Sequence, residues 1–352
     1  MPPRILTLDC AVPDHAYDQG DIYRDFFASV FQENPKTREI FENSRIEKRH
    51  TVLEFDFYSR ERTIEERNRV YVKGALDLGE GAILSCLREI GAEPRDLDDF
   101  IVASCTGYSN PGLDILLAKR LGMRENIRRT AIGGMGCYAA FPGLVRAYES
   151  LVTRPDSLVL LLMVEICSAT FQKTASTENV VASALFADGA AALILGNGKQ
   201  PLRTVSSRFP RIVDFETRTS YATTEDMGFF VTAAGFRIQL SARVPLFIRQ
   251  NVRALADHLL ARNDLSRTDV GLWVIHPGGA KILDYVQEVL DLTDEDLRFS
   301  REVLSKYGNM SSPTVMFVLN EIVRWGDPQP GDYALMVGFG PGLTIEACLV
   351  QW

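Results

Sequence analysis

The strongest constraint on this chain is a spacing that occurs twice. From Cys105, at the end of one apolar run, to Cys137 is 137 − 105 = 32 residues, and from His276, at the end of another, to Asn309 is 309 − 276 = 33. The next apolar run follows at a matched distance in each case: Val164 lies 27 residues beyond Cys137, and Val337 lies 28 beyond Asn309. A unit of strand, turn, helix and strand recurring at fixed intervals marks a duplicated half. At 352 residues the chain exceeds one ordinary domain and suits two similar halves. Two such units whose loops meet across a pseudo-twofold axis would bring Cys137, His276 and Asn309 together despite their separation in sequence.

Hydrophobic periodicity fills in each half. Residues 21–31 and 69–90 carry apolar side chains at helical spacing among charges, so the first hundred residues read as mainly helical. FIVAS then reads as a strand ending in the loop CTGYSNPG, a common position for functional groups. AIGGMGCYAAFPGLVRAYESLV reads as a Gly-rich turn entering a helix, with Cys137 at the helix start. SLVLLLMVEIC and SALFADGAAALILG read as buried strands. The polar stretch NGKQPLRTVSSR puts the half boundary near residues 197 to 205, dividing the chain into 1–200 and 201–352. The second half repeats the order, with a helix over 244–262, a strand in LWVIHPGG, a helix, the segment KYGNMSSPTVMFVLNEIV, and a strand and loop in DYALMVGFGPG. Pro142 and Pro313 lie near the limit of what a first helical turn tolerates, so both site helices are expected to begin irregularly.

Composition removes several classes of function. The 46% hydrophobic and 24% charged fractions are those of a folding globular chain. A net charge of −8 gives no general attraction for nucleic acid. The opening MPPRILTLDCAVPDHAY lacks a basic region followed by a long apolar stretch, so export is not expected. The longest strongly apolar run, from Leu158 to Val164, is far short of the roughly 20 residues of a spanning helix. The six cysteines never approach a C-x-x-C spacing, which indicates neither a zinc site nor a dithiol couple, and reduced thiols in a cytoplasmic protein fit best.

A cysteine attacks a thioester as its thiolate, and an ordinary thiol pKa of about 8.5 leaves little thiolate at neutral pH. Backbone N–H groups at the helix start and a histidine able to hold the proton could supply the activation. Of four histidines, His258 lies mid-helix in ALADHLL, and His15 and His50 lie in polar segments. Only His276 follows a buried strand into a loop, where PGG permits a sharp turn and close approach of a ligand. Asn309, before Met-Ser-Ser, reads either as a helix N-cap or as an amide donor to an enolate or oxyanion. Cys10, Cys86, Cys167 and Cys348 read as small core hydrophobes, while Cys105 reads either so or as a cavity residue.

Four motifs, GMGCYAAFPG, VIHPGG, YGNMSSPT and GFGPG, occur in the order and separation typical of type III polyketide synthases, and the chain resembles that chalcone-synthase-like family over most of its length. The resemblance implies an α/β thiolase fold of two duplicated αβαβα halves forming a five-layered αβαβα core. It also implies a cytosolic homodimer, acyl-CoA and malonyl-CoA as substrates, and no cofactor or metal. Carried over by residue, Cys137 would accept the starter acyl group, and His276 would form an ion pair with it. Asn309 would join His276 in polarising malonyl-CoA. Phe186 matches the family's gatekeeper. The cavity positions fall on Cys105, Thr106, Glu165, Cys167, Thr170, Gly235, Phe236 and Ser311, with a scaffold loop of Gly338, Gly340, Pro341 and Gly342.

Cysteine at position 105, where plant chalcone synthases have threonine, resembles the bacterial members. Arg45, Lys48 and Arg49 in SRIEKRH stand where CoA phosphates could be met, or form a solvated helix end. The implied reaction is iterative decarboxylative condensation giving a pyrone or resorcinol-type product, with a fatty acyl starter ahead of all-malonyl naphthalene-type chemistry. The nearest alternative is a ketoacyl-carrier-protein synthase III, which HPGG and GFGPG disfavour. A non-catalytic acyl-CoA-binding subunit is disfavoured by the intact Cys, His and Asn.

Overall fold

All eight residues of Val159–Ile166 are buried, and so are all nine of Asp188–Gly196. Strands without a polar face must be covered by helices on both sides, and that requirement organises the molecule. The computed structural model describes residues 2–32, 34–198, 208–232 and 235–352. Its strands are β1 (Arg4–Ala11), β2 (Ala16–Asp18), β3 (Lys48–His50), β4 (Asp99–Ala103), β5 (Arg128–Ile132), β6 (Val159–Ile166), β7 (Asp188–Gly196), β8 (Arg211–Thr219), β9 (Met227–Thr232), β10 (Gly235–Leu240), β11 (Val270–Ile275), β12 (Tyr333–Gly340) and β13 (Thr344–Gln351). Nine of them run in the order β11-β12-β13-β8-β1-β7-β6-β4-β5, while β2 with β3 and β9 with β10 form separate two-stranded ribbons.

The duplication is visible in this order. In the first half β1 pairs antiparallel with β7, β7 antiparallel with β6, and β6 parallel with β4. In the second half β8, β13, β12 and β11 repeat the same three relationships. A single residue pair, Arg4 with Arg211, joins the halves along the sheet. The first half carries one more strand, β5, parallel to β4 at the edge. In the second half the chain instead forms the helix Arg298–Tyr307 before it reaches Asn309.

Five layers result. Helix Ile64–Ile90 covers the outer face of β1, β6 and β7. Helices Ala140–Thr153 and Thr314–Trp325 lie between the two sets of strands and contact both halves. Helices Val244–Arg262 and Ala280–Leu290 cover the other outer face. The two inner helices follow Cys137 and Asn309, so the duplication that builds the central layer also brings the two candidate groups to its ends.

Several local expectations change. Residues 183–185 end the helix Thr177–Leu185, because Ser176 accepts a hydrogen bond from the Asn179 N–H and starts a helix there; the strand begins only at Asp188. Residues 19–30 are helical but broken by a π turn at Tyr23–Phe27. The long helix starts at Ile64, behind a Thr63–Glu66 capping box. Cys137 lies in a 3-10 turn, Gly136–Tyr138, three residues ahead of Ala140, where the helix begins. Pro142 is then the third helical residue, where its missing N–H would have had no partner. Residues 199–207, around the expected half boundary, lie outside the described residues.

Among the described residues no helix is long and apolar enough to cross a membrane. One buried carboxyl makes the fold pH-sensitive: burial pushes Glu346 on β13 up to about 7, against a hydrogen bond from Thr217. A carboxyl raised on folding is held protonated in the native state. It costs nothing below its unfolded pKa; the penalty builds as pH rises from that value to about 7 and is complete above it. Glu346→Gln, which keeps the acceptor for Thr217, is therefore expected to raise Tm at pH 8 and leave it nearly unchanged at pH 4. Equal shifts at both pH values in thermal denaturation would contradict this.

Candidate active site

The turn that carries the nucleophile candidate is shaped by what packs on it. Gly136 has φ +66°, and a Cβ there would sit 2.8 Å from the Pro341 ring. The close approach is mutual. A Cβ at Gly340 would strike Tyr138 at 2.6 Å, and one at Gly338 would strike Phe141 at 2.3 Å. The glycines of GFGPG therefore let the end of β12 lie directly against the Cys137 turn and the start of its helix. Cys137 is only 4% exposed.

His276 continues the β11–β12 ladder, its N–H donating to the Val337 carbonyl at 2.8 Å. The residue is 1% exposed, and neither ring nitrogen has a hydrogen-bond partner among the described residues. Asn309 does not cap a helix, since the helix after it starts at Thr314 behind Pro313. Its carbonyl oxygen instead accepts from the Ser311 N–H at 2.8 Å, which turns the amide N–H2 towards the Gly278 carbonyl at 3.3 Å. Ser311 holds a left-handed φ of 62°, an unusual conformation for a residue with a side chain. Thr314, fully buried, braces this loop by accepting from the Met310 N–H and donating to the Ser311 carbonyl.

Backbone bonds tie the two halves here. The Asn309 N–H donates to the Leu185 carbonyl at 2.9 Å, and the Ala187 N–H donates to the Asn309 carbonyl at 3.0 Å. Phe186 is thus bridged to Asn309, and Cys137, Phe186, His276 and Asn309 line one cavity of about 400 Å³. Ile40, Val181, Leu185, Ile248 and Phe339 give it mainly apolar walls.

A second cavity, about 480 Å³, is lined by Cys105, Phe236 and Pro341 together with Tyr108 and Phe229. The Cys105 Sγ lies 3.9 Å from the Ser311 Oγ, at the junction of the predicted cavity residues. Behind it Glu165, wholly buried, accepts from the N–H groups of Cys105 and Thr106, from the Thr106 and Ser312 hydroxyls, and from the Cys105 thiol at 3.3 Å. Burial raises the Glu165 pKa, and these bonds oppose it. Cys167 and Thr170 share a buried turn after β6, with the Thr170 hydroxyl donating to the Cys167 carbonyl. Gly235 opens β10. Gly342, with φ +85°, turns the chain from β12 into β13.

The three cations expected to meet phosphate line neither cavity. Arg49 is 1% exposed, and its guanidinium donates to the Ser183 and Phe186 carbonyls at 2.6 and 2.9 Å, so it positions the Phe186 segment from inside. Arg45 pairs with Asp284 at 2.8 Å, and Lys48 lies 4.0 Å from Asp18. Sequence reading missed Ser312 and Thr314 as buried supports, although both stand in the YGNMSSPT motif that it singled out. It also missed Arg49 as an internal brace, because an Arg in a charged stretch reads as exposed.

Electrostatics correct another expectation. Burial pushes the Cys137 thiol up to about 11 and the His276 imidazole down to about 3, while hydrogen bonds from Ser311 and Asn309 pull the thiol back. A lone thiolate or a lone imidazolium is therefore disfavoured. A proton passed from thiol to imidazole makes two opposite charges, so an ionised form would be tenable only as a pair and would titrate as one.

Comparison with known proteins agrees with this architecture. The sequence models of the N-terminal and C-terminal domains of chalcone and stilbene synthases match residues 2–199 and 222–352. The chain is 31% identical over 351 residues to 1,3,6,8-tetrahydroxynaphthalene synthase of Streptomyces peucetius subsp. caesius, covering 99% of this chain and 93% of that one. It is 33% identical over 359 residues to 3,5-dihydroxyphenylacetyl-CoA synthase of Amycolatopsis balhimycina, with the same coverage of 99% and 93%. The crystal structure of 1,3,6,8-tetrahydroxynaphthalene synthase from Streptomyces coelicolor A3(2), a bacterial type III polyketide synthase, superposes with a TM-score of 0.92 at 26% identity, over 99% of each chain. The C-terminal type III polyketide synthase domain of Steely1 from Dictyostelium gives 0.92 at 27%, over 100% of this chain and 99% of that one. This chain belongs to the chalcone and stilbene synthase family, the type III polyketide synthases, and has their thiolase fold.

The paired titration has a direct readout. Iodoacetamide inactivation, with the label on Cys137, is expected to reach half-maximal rate well below pH 8.5. His276→Ala leaves burial unopposed by a proton acceptor and should move the profile upward, towards the value of about 11 set by burial. A profile that follows an ordinary thiol and ignores the substitution would refute the coupling.

Proposed function

We propose that this protein loads an acyl group from acyl-CoA onto Cys137 and extends it by iterative decarboxylative Claisen condensation with malonyl-CoA. The observation that carries the reading is the shared cavity of Cys137, His276 and Asn309, with the amide of Asn309 turned inward and both His276 nitrogens unoccupied. Once its proton has passed to His276, the Cys137 sulfur attacks the thioester carbonyl, the bond from that carbonyl to the CoA sulfur breaks, and the departing CoA takes the proton. His276 and the Asn309 amide then donate hydrogen bonds to the carbonyl oxygen of malonyl-CoA. The bond to the carboxylate breaks, CO₂ leaves, and the electron pair remains as the enolate of acetyl-CoA. That carbon attacks the acyl-cysteine and expels the Cys137 thiolate, giving a chain longer by two carbons that can be reloaded. A cavity with apolar walls strengthens these hydrogen bonds by excluding water.

The names of the two bacterial relatives, a tetrahydroxynaphthalene synthase and a dihydroxyphenylacetyl-CoA synthase, support a hydroxylated aromatic product. The apolar walls Ile40, Val181, Leu185, Ile248 and Phe339 support a fatty acyl starter ahead of malonyl alone. Six unpaired cysteines support a reducing, cytoplasmic setting. A homodimer is supported by the edge strand β5, four of whose five residues are exposed, and by the exposed Tyr108 and Val231 at the second cavity.

Incubation with a series of acyl-CoA starters and malonyl-CoA should give pyrones or resorcinols by mass spectrometry, and Cys137→Ala should give none. Strict dependence on an acyl-carrier protein would favour the single-condensation alternative, and a wild type that never becomes acylated would end the enzyme reading. In light scattering after size exclusion the protein is expected at twice its chain mass. A monomer at micromolar concentration would remove the dimer.

A further inference from the structure

The helix Pro35–Glu42 and the turn after it form a wall shared by two cavities. Ile40 and Ser44 line the cavity of Cys137, while Phe41 and Glu42 line a separate groove of about 650 Å³. One side chain links the two spaces. Gln19 lines the groove, and its Nε2 donates to the Ser44 Oγ at 3.0 Å and to the Ala184 carbonyl at 2.8 Å, both on residues that line the active-site cavity. Gln19 is 6% exposed, and its Oε1 has no hydrogen-bond partner among the described residues. A buried acceptor left open is costly, and a donor brought to it lowers that cost.

We infer that this groove is a second ligand site, that it takes a neutral phenol, and that Gln19 carries its occupancy to the wall of the active-site cavity. The charges that line it are already paired, Arg24 with Asp21 at 2.7 Å and Arg38 with Glu42 at 2.8 Å, so nothing there selects an ionic ligand. Two rings do select a flat one. The centroids of Tyr23 and Phe41 lie 5.1 Å apart with the planes tilted by 55°, an arrangement that a third ring can join edge-on or offset. The open Gln19 Oε1 adds the demand for a donor, which a phenolic O–H meets and a phenolate or a bare hydrocarbon does not. Because that oxygen is buried, the amide must shift to reach the ligand, and the shift loosens its bonds to Ser44 and to Ala184, in the last turn before Phe186. A filled groove therefore slows turnover. The assignment rests on the proposed function for its natural ligand, since a hydroxylated aromatic product has this chemistry, as does a phenol of other origin.

The probe is 5-methylresorcinol. Gly20 lines the groove, and a Cβ there would meet nothing within 4 Å, so Gly20→Phe fills the space away from the catalytic groups. Wild type is expected to bind the probe in calorimetry and to lose kcat as probe is added, with KM for malonyl-CoA and the starter acyl-CoA within about twofold. Gly20→Phe should keep the uninhibited kcat and weaken both binding and inhibition about tenfold, and Ala28→Trp, from the same wall, should do likewise. 3,5-Dimethoxytoluene, which keeps the ring and lacks the donors, should bind about tenfold more weakly. Inhibition that competes with a CoA ester and survives both substitutions places the probe at Cys137 and overturns the groove. Equal binding of the probe and its dimethyl ether overturns the contact with Gln19, and binding that leaves kcat unchanged overturns the link to the cavity wall. Product recovered from the reaction should inhibit at lower concentration than the probe; a weaker effect assigns the groove to a phenol of other origin. A wild type that turns over no thioester ends the condensing function instead. Calorimetry then judges the groove alone: probe binding that Gly20→Phe loses sustains it, and no binding removes it.

Discussion

The structure depends on a short backbone seam. Two hydrogen bonds, from the Asn309 N–H to the Leu185 carbonyl and from the Ala187 N–H to the Asn309 carbonyl, stitch the loop of the second half to the Phe186 segment of the first. Neither half owns the cavity. Cys137 and Phe186 come from one, His276 and Asn309 from the other, and the seam fixes their relation. Arg49 reinforces it from within by holding the Ser183 and Phe186 carbonyls, and burial draws its guanidinium down to about 9. An Arg at that depth is retained for what it bonds, because desolvating its charge is costly.

Around the seam, close packing does what no single bond could. The end of β12 reaches the Cys137 turn because Gly338 and Gly340 present no Cβ to Phe141 and Tyr138, and Gly136 none to Pro341. The same packing buries the site, and burial is what pushes the thiol up and the imidazole down. Preorganised neutral donors, such as the Asn309 amide oriented by the Ser311 N–H, suit such a place better than a standing charge. Glu165 follows the same logic further out: a buried carboxyl is accommodated only because six neighbouring groups donate to it.

Much of this was legible from residue spacing. The intervals from Cys105 to Cys137 and from His276 to Asn309 reported the duplication, and the continuous apolar runs reported strands covered on both faces, because period and burial are written locally in the chain. The meeting of Cys137, His276 and Asn309 at one cavity was legible too, since turn glycines and strand ends mark where side chains reach a cavity. What spacing could not supply was which charged residue faces where. Arg45 and Arg49 read alike as cations for phosphate, yet Arg45 pairs with Asp284 at the surface while Arg49 lies inside and braces a carbonyl pair. The end of the helix Thr177–Leu185 was read as strand, because a short run of small apolar residues fits either.

The sequence by itself thus determined two fused copies of one strand and helix unit, and the three groups at their loop ends. Tertiary structure decided that those groups share one mainly apolar cavity, that the Asn309 amide faces the Gly278 carbonyl, and that burial disfavours both a lone thiolate at Cys137 and a lone imidazolium at His276. The physical reason is range. Periodicity and turn chemistry act over a few residues, whereas desolvation and the orientation of a buried amide depend on neighbours more than a hundred residues away.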